Sequence, residues 1–307
     1  MTAVPGFRPG SSPRRDTLAR LRRGWPAYLF LLPTLLLVGY FSYYPAYIAV
    51  TRAFTDWDGL NVPNFTGVEN FQRAVSDPVM GQATLNMAIW VVLGLILALL
   101  PPLLISELIF HLRGRRRQYA YRTLFVIPIV IPSLVLLLVW GSFYRSDGLL
   151  NTLLGSVGLG GLRHDWLSDP GTALYSLIFL GFPYVDAFNF LLLYAGLQGI
   201  PQDVFDAAKI DGATGWRRVL RVDLPLLRPQ LGLIAVLAII GNVQYFISPL
   251  VLTSGGPGFA TTVPALLMYF TATRDGEYGY AMAIAVLLMI LVVALTGLSR
   301  WISRGSR

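Results

Sequence analysis

The sequence predicts an all-α polytopic membrane protein with six transmembrane helices, and three observations lead there. Of 307 residues, 55% are hydrophobic and 13% charged, and the mean hydropathy is +0.60. A soluble domain carries about a quarter charged residues. The apolar residues gather in six runs, each long enough to cross ~30 Å of hydrocarbon, which takes about 20 helical residues. The 24 basic residues stand outside these runs or at their ends, mostly on one side, as the positive-inside rule requires. No strand-like alternation is sustained over this length, which argues against a barrel.

Residues 1–27 form a basic leader containing "RRDTLARLRRGWP". The first run, near Tyr28–Val50, follows it. A signal peptide would show an apolar core of about 7–15 residues and a small-residue cleavage site. This run is longer and stays aromatic at its far end, so it reads as an uncleaved helix. The other runs lie near Thr84–Glu107, Tyr121–Phe143, Thr172–Leu197, Pro229–Leu252 and Tyr278–Trp301. Pro33, Pro45, Pro128, Pro132 and Pro183 interrupt several of them, which membrane helices tolerate better than soluble ones. The membrane domain thus covers 28–301, with a polar loop at 198–228 and a tail at 302–307.

Nineteen basic residues fall in the leader, in Arg113–Arg122, in Lys209–Arg228 and in Arg300–Arg307. The opposite side has five: Arg52, Arg73, Arg145, Arg163 and Arg274. Both termini and the 198–228 loop are therefore expected to be cytoplasmic. The outward loops, "DGLNVPNFTGVENF", "RSDGLLN" and "TSGGPGF", are rich in turn residues and too short for folded domains.

Several function classes drop out. There is no cysteine, hence no disulfide, thiolate nucleophile or cysteine metal site. The arginines border apolar spans instead of forming a solvated basic face, which argues against nucleic acid. His111 and His164 both lie outside the spans, so neither a zinc helix of the HExxH type nor an intramembrane serine dyad can form. An aspartyl protease needs two membrane aspartates, and only Asp186 lies in a span. The single lysine, Lys209, sits between Ala208 and Ile210. A phosphate-binding loop needs Gly-Lys-Ser or Gly-Lys-Thr, so nucleotide hydrolysis is expected from another polypeptide. An ion-coupled secondary transporter or channel would account for six spans and for Asp186.

The polar stretch "DAAKIDGATGWRRVLRVDLP", Asp206 to Pro225, is an island in this apolar chain. Asp206 and Asp211 are five apart, roughly 140° around a helix, which does not suit paired acid–base chemistry. Gly212 offers a bend between two short helices. The second of these alternates Trp216, Val219, Leu220 and Val222 with Arg217, Arg218 and Arg221, an amphipathic basic pattern suited to the inner headgroup boundary. Pro225 marks the return to the membrane. On these grounds alone an ordinary interfacial elbow is the favoured reading.

The full pattern resembles the cytoplasmic signature loop of membrane subunits of binding-protein-dependent ABC importers. That signature reads Glu-Ala-Ala, two residues, Asp-Gly-Ala, then a helix closing in Leu-Pro. Ala207, Ala208, Asp211, Gly212, Ala213, Leu224 and Pro225 match in spacing. Asp206 stands where Glu is usual, and Val219 where Phe is frequent. "GLQGIPQDVFDAA", "TSGGPGFATT", "FTGVENF" and "DWLSDP" look like carbohydrate-type permeases, most of all those similar to the larger maltose-transporter membrane subunit and its glycerol-3-phosphate counterpart. The likeness runs from about Tyr28 to Arg304.

The resemblance implies a type I ABC importer permease fold in a bacterial or archaeal plasma membrane. It implies that the loop 203–225 is a coupling helix that docks on an ATPase. It also implies a second, similar permease, two ATP-binding subunits using ATP and Mg, an extracytoplasmic solute-binding protein and a carbohydrate substrate. This chain itself is expected to bind no cofactor or metal.

Polar groups at membrane depth are costly and face a pathway or a helix partner. Asp186 lies mid-run in "GFPYVDAFNF" with Phe188 and Asn189, and Asn242 in "IIGNVQYFISP" with Gln244 and Tyr245. Singly, each is better read as bonding a neighbouring helix. In permeases resembling this one, amides at these depths bond sugar hydroxyls and rings cover the apolar sugar faces. Asn242 and Tyr245, three apart, are expected on one helix face.

Overall fold

The computed structural model describes residues 25–183 and 185–304. The basic leader up to residue 24 and the end of the tail at 305–307 lie outside the described residues. Regular structure among the described residues is helical, apart from one isolated antiparallel bridge between Thr55 and Phe65. The chain divides into two compact units, Met1–Thr51 and Arg52–Arg307.

The first unit holds α1 (Trp25–Val38), a wide π-turn over Gly39–Tyr43, and most of α2 (Tyr44–Arg52). The stretch Leu29–Arg52 is long and apolar enough to cross a membrane. Pro45 explains the wide turn. In a regular α-helix its ring would strike the carbonyl four residues back. The chain instead adds a residue to the turn, so that the Tyr44 amide donates to the Gly39 carbonyl.

The second unit includes α3 (Glu69–Ser76) and continues into α4 (Pro78–Phe110), a helix of 33 residues. At 1.5 Å per residue α4 extends about 50 Å. Its start is set by Asp77, whose side chain accepts the Val79 amide at 2.8 Å, and by Pro78 in the first turn. Pro101 and Pro102 lie inside it. Pro102 has no amide hydrogen to give to the Ala98 carbonyl. That oxygen accepts the Asn189 side chain at 3.3 Å, which is how a neighbouring element re-satisfies a backbone group freed by proline.

The third expected run, Tyr121–Phe143, is a bent pair. It comprises α5 (Arg115–Val126), a 3₁₀ turn over Ile127–Val130, and α6 (Ser133–Phe143), with a 94° bend. Ile131 precedes Pro132 and is extended, with φ −78° and ψ 125°, because the proline ring disfavours helical geometry in the residue before it. Next come α7 (Leu149–Ser156) and the fourth expected run, Thr172–Leu197, which is two separate helices: α8 (Ala173–Ile178) and α9 (Ala187–Gln198).

Then follow α10 (Gln202–Ile210), α11 (Trp216–Arg218), a second π-turn over Val219–Asp223, α12 (Leu224–Leu226) and α13 (Arg228–Gln244). The π-turn again immediately precedes a helical proline: the Leu224 amide donates to the Val219 carbonyl just before Pro225. Pro225 thus sits within a nearly continuous helical path. The chain closes with α14 (Pro264–Thr273) and α15 (Tyr278–Arg304).

Six unbroken spans are therefore not what the described residues show. Four helices are long and apolar enough to cross, and the α5–α6 pair makes five if counted as one span. Around α4, one buried cluster joins Leu103 to Leu193 and Leu197 of α9 and to Leu227 and Ile234. Another joins Met87 to Val243, Leu266 and Ile284. In lipid such packing rests on close contact more than on escape from water. Asn86 fastens the α13–α14 loop to α4 by donating to the carbonyls of Phe259 at 3.0 Å and Thr262 at 2.8 Å.

Candidate functional site

A cavity of about 500 Å³ opens between α4, the α8–α9 break and α13. Its size falls in the range of ordinary small-molecule sites. Trp90, Gly94 and Ala98 face it from α4; Phe179 and Phe182 from the break; Asp186, Phe188 and Asn189 from the start of α9; Gly241, Asn242 and Tyr245 from the end of α13.

Each polar member is held differently. Asp186 is the N-cap of α9 and accepts the Asn189 amide at 2.8 Å through Oδ1. It is exposed and lines the cavity. Asn189 gives its side-chain amide to the Ala98 carbonyl and is partly spent on structure. Asn242 lies over Gly94: a Cβ built there would stand 2.6 Å from Nδ2 and 2.8 Å from Cγ. The Tyr245 ring packs on buried Trp90, with centroids 5.4 Å apart and planes at 37°. Together these groups offer a carboxylate oxygen and an amide for hydroxyls, and ring faces for C–H surfaces.

Of the residues expected here, Asp186, Phe188, Asn189, Asn242 and Tyr245 come together, while exposed Gln244 does not line the cavity. Asn242 and Tyr245 both line the cavity at the end of α13, where the Tyr245 amide donates to the Asn242 carbonyl. The α13 helix ends at Gln244, and Tyr245 is extended at φ −78° and ψ 129°. Trp90 and Gly94 carry no polar signal in an apolar run, so sequence reasoning passes over both.

The polar island forms the second feature. Asp206 of α10 accepts from Lys209 at 3.0 Å and Gln202 at 3.2 Å. These bonds, Lys209's foremost, hold its carboxyl below the usual range. Ala207 is exposed and Ala208 buried. Asp211 and Gly212 end the helix: Gly212 has φ +71°, its amide donates to the Lys209 carbonyl at 3.1 Å, and the Ala213 amide donates to the Ala208 carbonyl at 2.8 Å. That paired bonding is a Schellman-type cap, which needs a left-handed residue and hence favours glycine. The Asp-Gly-Ala spacing is thus the chemistry of a helix stop. Leu224 and Pro225 follow the π-turn described above.

Within the island, against the end of α4, lies a charge cluster that the sequence reading did not assemble. Arg218 donates to Oδ2 of Asp223 from Nε at 3.1 Å and reaches the same oxygen from its NH2 nitrogen at 3.0 Å. The Asp223 side chain is fully buried. Arg218 also contacts Nε2 of His111 and stands 4.8 Å over the Phe205 ring. His111 Nδ1 lies 3.6 Å from Glu107 Oε2. The island is thereby tied to the end of α4. The one sequence signal was Asp223 itself, an acid between Val222 and Leu224.

Comparison with known proteins agrees with this architecture. Residues 90–307 match the family described as binding-protein-dependent transport system inner membrane component. The chain is 34% identical over 284 residues to the trehalose/maltose transport system permease protein MalF of Thermococcus litoralis, covering 88% of this chain and 90% of that one. It is 30% identical over 271 residues to the probable ABC transporter permease protein YurN of Bacillus subtilis (strain 168), covering 88% and 92%. In fold it is similar to a chain of a bacterial ABC transporter involved in the import of the acidic polysaccharide alginate. There the TM-score is 0.81 at 21% identity, over 94% of this chain and 98% of that one. The chain belongs to the family of binding-protein-dependent transport system inner membrane components, and it is an integral membrane subunit of an ABC importer rather than an enzyme.

Proposed function

We propose that this chain forms half of the route by which a sugar or sugar derivative is imported, with the cavity on α4, α9 and α13 as its substrate contact. The supporting observation is the convergence there of Asn242, Tyr245 and Asp186 beside Trp90. Relatives whose names specify sugars, such as the trehalose/maltose permease, point the same way. The loop 203–225 is the docking element for a separate ATPase, with exposed Ile210 and Trp216 flanking its glycine stop. ATP and Mg belong to that partner. A second permease, two ATP-binding subunits and an extracytoplasmic binding protein complete the assembly. It sits in a bacterial or archaeal plasma membrane, both termini are cytoplasmic, and α8 with α9 supplies a sixth, interrupted crossing.

The test is sugar uptake by the reconstituted complex, normalised to assembled protein. Asn242→Ala and Tyr245→Ala are each expected to lower uptake while basal ATPase activity persists. A buried neutral hydrogen bond contributes roughly 0.5–1.5 kcal/mol net, so the loss per amide is about two- to tenfold in apparent affinity. Normal transport by both variants would move the substrate contact elsewhere.

A further inference from the structure

The cavity contains one formal charge among its described lining residues, the Asp186 carboxylate, and no basic side chain. Four features make that charge decisive. First, Asp186 is fixed: as N-cap of α9 its Oδ1 is held by the Asn189 amide at 2.8 Å. Second, it is an exposed residue of the cavity lining. Third, the cavity is small. A volume of about 500 Å³ corresponds to a sphere of radius about 5 Å, so an occupant's charge lies within about one Debye length of the carboxylate. Fourth, the one opposing field is already answered. The N-terminus of α9 carries about half a positive charge, and Asp186 caps it with a full negative one.

We propose that this cavity selects substrate by charge. Asp186 admits uncharged sugars and sugars bearing an ammonium group, and discriminates against uronates, sulfonates and sugar phosphates. The inference rests on reading the cavity as the sugar route, and it adds a substrate class to that reading. The neutral polar groups beside the acid suit such ligands: Asn242 serves hydroxyls, and Trp90 and Tyr245 serve ring faces. An anion entering here meets like charge in a partly desolvated site, where repulsion is strong.

The absence of cysteine from the chain supplies a direct probe of this field. Phe188→Cys places a single thiol in the cavity wall without touching the polar groups. The assembled importer is treated under turnover with a cationic trimethylammonium-ethyl or an anionic sulfonatoethyl methanethiosulfonate. Labelling is followed on this chain by mass spectrometry, and each rate is divided by that with free cysteine. Any change in the thiol's ionisation affects both reagents equally and cancels in their ratio.

The expected result is at least a tenfold preference for the cation. Asp186→Asn keeps a good N-cap and should bring the ratio within about threefold of unity. Equal rates, an anion preference, or a ratio unchanged by Asp186→Asn would overturn the charge selection and leave the sugar route standing. No modification by either reagent would instead show a cavity closed to solutes, and the route would fall with the selection.

Discussion

Gly94 has no side chain, and Asn242 occupies the space a methyl group would need. A Cβ at 94 would come within 2.6–2.8 Å of three Asn242 atoms. The obstacle is a movable side chain, so Gly94→Ala should insert and assemble normally but turn the amide from the cavity. We predict a several-fold rise in the apparent KM for sugar at normal complex abundance, measured by uptake kinetics. An unchanged KM in Gly94→Ala, beside a raised one in Asn242→Ala, would remove this positioning role. A backbone requirement governs the other glycine. At φ +71° Gly212 sits where a side chain costs about 1–2 kcal/mol, and nothing lies within 4 Å of its built Cβ. The penalty is therefore conformational, not steric crowding by neighbours. Gly212→Asn should be mildest, Ala intermediate and Val worst, because asparagine visits the left-handed region and β-branched residues avoid it. The measurement is binding-protein-stimulated ATPase activity of the assembled complex. Equal activity across the three would show that the glycine stop is dispensable for coupling.

At the scale of elements, the end of α4 and the 203–225 loop are held together by Arg218. Its ion pair with Asp223 is buried, with side-chain exposures of 13% and 0%. Removing one partner of such a pair costs about 3–5 kcal/mol because a charge is left behind without its counter-ion. Arg218→Ala should therefore lower the thermal stability of the complex markedly, and Arg218→Ala with Asp223→Ala should recover part of the loss. A double variant no more stable than the single would mean that the pair does not act as a unit. This cluster was not legible beforehand, since Arg218 and His111 stand 107 positions apart and each reads locally as a surface charge. The cavity was more legible. Asp186, Asn189, Asn242 and Tyr245 stood out as polar groups in apolar runs, whereas Gly94 and Trp90 matter through shape. The prolines were visible too, but their consequences were not. The run containing Pro132 bends by 94°, while Pro225 is absorbed by one π-turn, because the outcome depends on which backbone bonds the surroundings can replace.

At the scale of the whole molecule, the proposed topology must return both ends of a chain with four long candidate spans and one bent pair to the same side. The basic residues divide nineteen to five, an asymmetry that calls for an even number of crossings. The four long helices and the α5–α6 pair give five, so on this topology α8 and α9 supply the sixth. Their lengths allow it. Six and twelve residues rise about 9 and 18 Å, and the intervening chain covers the remainder of ~30 Å of hydrocarbon. Non-helical backbone at that depth is tolerated only where protein or a water-filled cavity lines it. The break contributes Phe179, Phe182 and Asp186 to the cavity wall, which meets that condition. Reporter fusions after Asp58, Gly161 and Gly256 should therefore read external, and those after Arg116 and Arg217 cytoplasmic. The informative pair is Gly161 and Arg217, which bracket α8 and α9 together with the polar α10. If both report the same side, α8 and α9 form a re-entrant hairpin, the crossing number becomes odd, and the cytoplasmic placement of one terminus fails with it.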